Sequence, residues 1–288
     1  RNFSKTIVPP ERAFNRFLLN FNDNLPEPFF IWIHVFPPHH PYLPVEPFMG
    51  MFDSSPELRT LKSQWKLPLN LSYKDEMQPT VDILRDRYDE FIRYCDKQFE
   101  DFITRLTTGD NLKNTLIILS SDHGETFERN FLGHTGPHLY EPLTNIPLII
   151  REPGQNKRIV IDELAEQIDI PPTILELADI PAPSWMEGHS LVPLMRGKRL
   201  PSHPVFSMTF GGNPSRGERI SKGTIAVWEG DYKLIYYLEE KKSLLFNLKE
   251  DPDELNNLIN KESEAAKRLL PLIQENLKEA NEKISRGK

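Results

Sequence analysis

The chain has 288 residues, 38% of them hydrophobic, and a formal net charge of −7 with both signs mixed along its length. That length supports one large domain with a core, or a domain with a small appendage. The charge balance does not supply the basic face that nucleic acid requires, and no run of 18 apolar residues offers a membrane span. Cys95 is the single cysteine, which excludes an intramolecular disulfide framework and a cysteine-based zinc site. No secretory leader pattern is visible, and with Arg1 as the first residue this says little about the compartment.

Residues 10–21, "PERAFNRFLLNF", read as a short amphipathic helix. "FFIWIHV" (29–35) is a continuous apolar run rich in aromatic and β-branched residues, the pattern of a buried strand. The prolines of "FPPHHPYLPVEP" cannot join a ladder, so a loop follows, with a helical turn expected near 56–65. Over 79–107, Leu84, Tyr88, Phe91, Cys95, Phe99, Phe102 and Leu106 recur every three or four residues, one face of a long helix. Cys95 reads as a packed member of that stripe. "TLIILSS" (115–121) is a second buried strand. Strand, helical connection and strand make a βαβ unit, so the two strands are expected to run parallel.

"NIPLIIRE" (145–152) is a third strand, and "IDIPPTILELADI" (168–180) a helix with prolines in its first turn. After about residue 200 the texture changes. "HPVFSMTF", "GTIAVWEG", "YKLIYYLE" and "SLLFNL" are short strands with turns between them, which favour antiparallel pairing, and a charged amphipathic helix closes the chain over 261–285. The expected architecture is α/β, a mainly parallel sheet flanked by helices over 1–200, followed by a smaller antiparallel α+β subdomain over 201–288.

The stretch "LIILSSDHGE" (116–125) passes from strand straight into Asp122, His123 and Glu125. In parallel α/β sheets ligands bind beyond the carboxyl ends of strands, and Gly124 permits a sharp turn there. Two readings of Asp122 and His123 stand side by side. They are a turn-capping acid next to a surface histidine, or an oxygen and a nitrogen that share one divalent cation. Six of the eight histidines, His34, His39, His40, His123, His134 and His138, fall in three loop segments. Imidazoles gathered near an Asp at a sheet edge suit an oxyanion and a metal, and they can protonate a leaving group. His39 and His134 are the candidates for that work; His34, His40 and His138 read as ordinary loop histidines.

"IHVFPPHHPY", then "SSDHGE", then "GHTGPHLYEPLTNIPLII" resemble the sulfatases of the alkaline phosphatase superfamily. "QIDIPPTILELADIP", "MEGHSLVPLMRG" and "LLFNLKEDPDELNNL" are similar to later segments of that family, in the family's order. The resemblance implies an alkaline phosphatase-like fold and a divalent cation, calcium first, with manganese and zinc as alternatives. It implies Asp122 and His123 as metal ligands. His39 is implied to contact the substrate oxyanion, and His134 to lie close to the leaving group; both would be catalytic and substrate-binding. Glu125 is expected to support a neighbouring group instead of ligating. Pro37 stands where the family often has Asp, and Thr135 separates His134 from Gly136.

The family's formylglycine nucleophile arises in Cys/Ser-x-Pro-x-Arg. Cys95 precedes "DKQFE", and "GNPSR" (212–216) has Gly212 in the nucleophile's place, so it reads as a turn. The resemblance therefore implies the C-terminal half or two-thirds of a sulfatase, with formylglycine and further metal carboxylates in an N-terminal part, or a degenerate relative. The leading expectation is metal-dependent hydrolysis of a small-molecule or glycan sulfate ester. The alternatives are a phosphodiesterase or phosphonate hydrolase, a phosphoglycerol or phosphoethanolamine transferase, and a non-catalytic ligand-binding module. An extracytoplasmic location is expected, with a cytoplasmic one as the alternative.

Overall fold

The computed structural model describes residues 8–20, 27–52, 71–107, 113–212 and 216–286. The expected turn near 56–65 and most of "GNPSR" lie outside them. Two compact units emerge. One comprises residues 1–134 and 146–155, the other 135–145 and 156–288. The expected boundary at residue 200 followed a change of texture. The units follow contacts and interleave, because Leu139 and Tyr140 already pack with the C-terminal strands.

In the first unit, α1 (Pro10–Asn20) lies on α2 (Gln78–Thr107). The contact is aromatic: Phe14 stacks on Phe102 at 4.5 Å, and Phe17 meets the same ring edge-on. The stripe read from the sequence is the buried face of α2, where Leu84 and Phe91 join Tyr42, Phe127 and Leu132 in one core, and Cys95 packs at its margin. β1 (Leu71–Ser72), β2 (Ile117–Ser120), β3 (Phe131–Leu132) and β4 (Leu148–Arg151) complete the unit's strands. β1 pairs with β3, and β2 with β4.

Two expectations are corrected here. Residues 29–35 form no ladder, and Phe30 and Trp32 are 73% and 80% exposed. The apolar character is used in part, since Ile33 and Val35 pack against the cluster of Phe14, Phe102 and Leu106. A strand also needs a neighbour, and among the described residues none pairs with this segment. The parallel βαβ pairing is therefore absent among the described residues, and every described ladder is antiparallel, β2 with β4 included. β2 and β4 are accordingly half-buried strands, with Ile149 facing solvent.

In the second unit, α3 (Glu141–Thr144), α4 (Ile170–Leu177) and α5 (Val192–Met195) precede a four-stranded antiparallel meander. Its strands are β5 (Val205–Phe210), β6 (Gly223–Glu229), β7 (Tyr232–Tyr237) and β8 (Lys242–Asn247). Gly230 takes the left-handed conformation (φ 58°) that the two-residue β6–β7 connection requires. α6 (Ser263–Arg286) lays Ala265, Leu269 and Ile273 on Ile225, Val227, Leu234 and Leu245. The opposite face of the sheet packs on Leu139 through Val205, Ala226 and Ile235. Sequence alternation in the strands and the 3.6-residue period of α6 produce this layer directly. Among the described residues no helix is long and apolar enough to cross a membrane.

Candidate active site

Local chain chemistry assembles the site within the first unit. After β2 the chain passes Asp122–Glu125 and enters a short hairpin. Thr126 and Gly133 exchange both backbone hydrogen bonds, at 3.1 and 3.0 Å. The turn is tight: Phe131 N–H donates to the Glu128 carbonyl, and Arg129 and Asn130 both have φ 59°, the signature of a type I′ turn. This register sets Glu125 opposite His134. Phe127 and Leu132 bury themselves in the α2 core and anchor the hairpin.

The second contributor is the proline-rich loop. Tyr42 is fully buried against Tyr88 and Phe127. Its hydroxyl donates to Glu125 Oε2 at 2.8 Å. The anchor fixes the preceding residues, and the His39 ring lies 5.0 Å from that of His134. His134 in turn stacks on His123 at 4.3 Å. The structure thus brings His39, His123 and His134 into one cluster, with Asp122 beside His123 (Oδ2 to Nε2, 3.7 Å).

Hydrogen bonds define what each ring can do. His134 Nδ1 lies 3.0 Å from Glu125 Oε1. A carboxylate only accepts, so Nδ1 carries the proton. This bond is the main cause that raises the His134 imidazole above its ordinary value, with burial opposing it. Glu125 therefore supports a neighbour, as the sequence suggested, and its partners are His134 and Tyr42. His123 Nδ1 donates to the Gly124 carbonyl at 2.8 Å, which leaves the Nε2 lone pair free on the Asp122 side. A metal-binding histidine needs this arrangement, its second nitrogen tied to an acceptor. Asp122 is exposed, and together with His123 Nε2 it fits a divalent cation as a pair of ligands. Among the described residues the two do not belong to a larger ligand group.

The other histidines are not in this cluster in the same way. His40 sits beside it, and burial, with His39 adding to the effect, lowers its imidazole to about 4. His34 is exposed. His138 belongs to the second unit, where it stacks on Tyr140 and burial lowers its imidazole.

One group escaped the sequence reading. In the second unit Glu166, Asp169 and His203 offer ligand atoms that lie within 4.8 Å of one another. Asp169 carried a usable signal, since an acid just before a proline-containing first turn marks a helix start. His203, alone in a proline-rich loop, carried none.

The site is thus a strand end bearing an acid and an imidazole, faced by two further imidazoles. The comparisons with known proteins make this specific. Residues 8–180 match the sulfatase family, and residues 135–283 match the family described as N-sulphoglucosamine sulphohydrolase, C-terminal. The chain belongs to the sulfatase family. It is 29% identical over 259 residues to an endo-4-O-sulfatase of Bacteroides thetaiotaomicron, covering 81% of this chain and 47% of that protein. It is 31% identical over 169 residues to human arylsulfatase K, covering 57% of this chain and 31% of that protein. The chain thus spans about half or less of the length of the curated relatives it matches.

Among solved structures, one in complex with its substrate D-glucosamine-2-N,6-O-disulfate superposes with a TM-score of 0.70 at 20% identity, over 95% of this chain and 69% of that one. A phosphonate monoester hydrolase from Silicibacter pomeroyi gives 0.69 at 22% identity, over 92% and 58%. The fold is the alkaline phosphatase-like α/β fold of sulfatases, with the antiparallel C-terminal part that the sequence led one to expect.

Proposed function

We propose that this chain is the C-terminal portion of a metal-dependent hydrolase of sulfate esters, with a sulfated saccharide as substrate. The observation that carries the reading is the convergence of His39, His123 and His134, with Asp122, in one unit. The saccharide class is supported by the relatives, which include the endo-4-O-sulfatase and a Delta 4,5-hexuronate-2-O-sulfatase, and by the solved complex with a disulfated glucosamine.

Asp122 and His123 Nε2 hold a divalent cation in this reading. When bound, it supplies Lewis-acid stabilisation of the anionic ester oxygens. His39 ties Nδ1 to the His40 carbonyl at 2.6 Å, so in its protonated form it has Nε2–H to donate to an ester oxyanion. His134, held by Glu125, has Nε2 to deliver a proton to the departing alcohol oxygen. In this reading the attacking group and the remaining ligands come from outside this chain. The 288-residue chain by itself should therefore turn over nothing.

The test uses the complete protein that contains this chain and a series of aryl sulfates of rising leaving-group pKa. His39→Ala and His134→Ala should each lower kcat by roughly a hundredfold or more. The cost at His134 should shrink for nitrophenol, which needs little protonation, and the cost at His39 should not. Equal sensitivity of the two variants would refute the roles. Faster turnover of aryl phosphonates than of sulfates would refute the ester class.

A further inference from the structure

We propose that Glu166, Asp169 and His203 form a binding site for a divalent transition-metal ion, zinc by ligand chemistry, with His189 adjacent as a further donor. The site lies in the second unit and joins three segments: the start of α4, the loop at 188–189 and the entry to β5.

Geometry comes first. Glu166 N–H donates to Asp169 Oδ2 at 2.8 Å, and the Glu166 side chain accepts from the Asp169 N–H in return. His189 N–H donates to Asp169 Oδ1 at 2.7 Å, and Phe206 N–H to Glu166 Oε1. Four backbone donors thus orient two carboxylates, yet each carboxylate has about four acceptor positions, so positions remain for a cation. Such bonds to ligating carboxylates are the usual support of a metal site.

Histidine provides the second, independent observation. His203 Nδ1 lies 3.2 Å from the Pro201 carbonyl and donates to it, so in the neutral ring the lone pair is on Nε2. Nε2 is buried and takes no hydrogen bond. An unpaired buried acceptor is costly, and the ring belongs to a group with two carboxylates, which cannot donate to it. A cation is the partner that all three atoms accept. The His189 ring lies 4.5 Å from that of His203.

Charge agrees with this. Asp169 is fully buried, and among the described residues neither carboxylate forms an ion pair with Lys or Arg. Burial is the main cause that raises the Glu166 carboxyl above its ordinary range, and the Asp169 charge adds to it. Two adjacent carboxylates with no Lys or Arg partner among the described residues suit a divalent ion. A mixed nitrogen and oxygen set suits zinc better than calcium, which prefers all-oxygen ligands.

The test uses the 288-residue chain carrying Asp122→Ala and His123→Ala, stripped with chelator and titrated with Zn²⁺ by calorimetry. One equivalent should bind, and in ¹⁵N-histidine spectra the His203 resonances should move while those of His39 and His134 stay in place. His203→Gln should weaken binding by roughly tenfold or more. Absence of a bound equivalent, or zinc binding that leaves the His203 resonances unmoved, would overturn the proposal. The spectra of the chain with His203 intact decide the matter even where His203→Gln unfolds the unit. Displacement of Zn²⁺ by an equal concentration of Ca²⁺ would overturn the choice of metal class.

Discussion

Lys233→Met tests a fully buried charge in the second unit. Lys233 on β7 is fully buried, and its Nζ lies 2.9 Å from Glu141 Oε1 and 2.8 Å from Glu254 Oε1. It also sits 4.5 Å above the Trp228 ring. Glu254 is equally buried, and its Oε2 accepts the Glu141 N–H at 2.7 Å, while Trp228 Nε1 donates to Glu141 Oε1 at 3.0 Å. Methionine keeps the apolar stem and removes the cation, which leaves the Glu254 carboxylate buried beside Glu141. Breaking a buried pair from one side costs about 3–5 kcal/mol. At about 2–4 °C per kcal/mol for a body of this size, the melting temperature should fall by roughly 6–20 °C.

The loss should also depend on pH. Burial raises the Glu254 carboxyl above its ordinary value, and Lys233 opposes that rise. Without Lys233 the folded-state value climbs further above the unfolded one. The folded variant then takes up a proton before the unfolded chain does, so stability returns as pH falls through the folded value towards about 4.3. Circular-dichroism melts at about pH 8 and about pH 5 should show a smaller defect at the lower pH. Lys233→Met combined with Glu254→Gln should recover much of the loss at the higher pH. A defect below about 1 kcal/mol at the higher pH, or one equally large at both, would refute the assignment of the network as a buried ion pair.

Tyr42→Phe should destabilise the first unit by about 1–3 kcal/mol, because it strips a buried carboxylate of its hydroxyl donor; an unchanged denaturation midpoint would show that Glu125 finds another donor. Burial pushes the Cys95 thiol up to about 12, so the folded chain should resist a thiol reagent near neutral pH and release one equivalent only on unfolding in guanidinium; rapid native labelling would contradict its packing against the α2 core. Gly188→Ala should cost several kcal/mol, since a Cβ there would lie 1.9 Å from the Ile168 carbonyl oxygen. Gly230→Ala meets nothing within 4 Å and should cost only the left-handed strain of about 1–2 kcal/mol. Equal melting temperatures for these two variants would remove the steric argument.

The sequence made the periodic elements legible. The long helix, the C-terminal meander and the final amphipathic helix all follow from side-chain period, because their buried faces are contiguous in pattern. Residues 29–35 failed for the complementary reason. A continuous apolar run signals burial, not whether a partner strand stands alongside, and ladders are long-range. The site was legible as residue types at strand and loop ends. The contact between Glu125 and His134 was not, because it depends on two non-glycine residues, Arg129 and Asn130, both turning left-handed. Nor did any local signal tie His203 to Glu166 and Asp169, which meet only once α4 and β5 are in place.

The acceptors chosen by the three clustered imidazoles differ, and the difference bears on the roles proposed for them. His39, His123 and His134 each commit Nδ1 to a hydrogen bond. For His39 and His123 the acceptor is the carbonyl of the next residue, a bond the local chain makes without tertiary help. A carbonyl fixes the ring and its tautomer without adding a full negative charge, which suits a metal ligand such as His123. For His134 the acceptor is a buried carboxylate nine residues earlier, delivered by a hairpin and held in turn by a fully buried tyrosine. A carboxylate favours the imidazolium, the form that gives up a proton to a leaving group. More structure is therefore invested in His134 than in its neighbours. That investment supports assigning the proton transfer to His134 and the static contacts to His39 and His123.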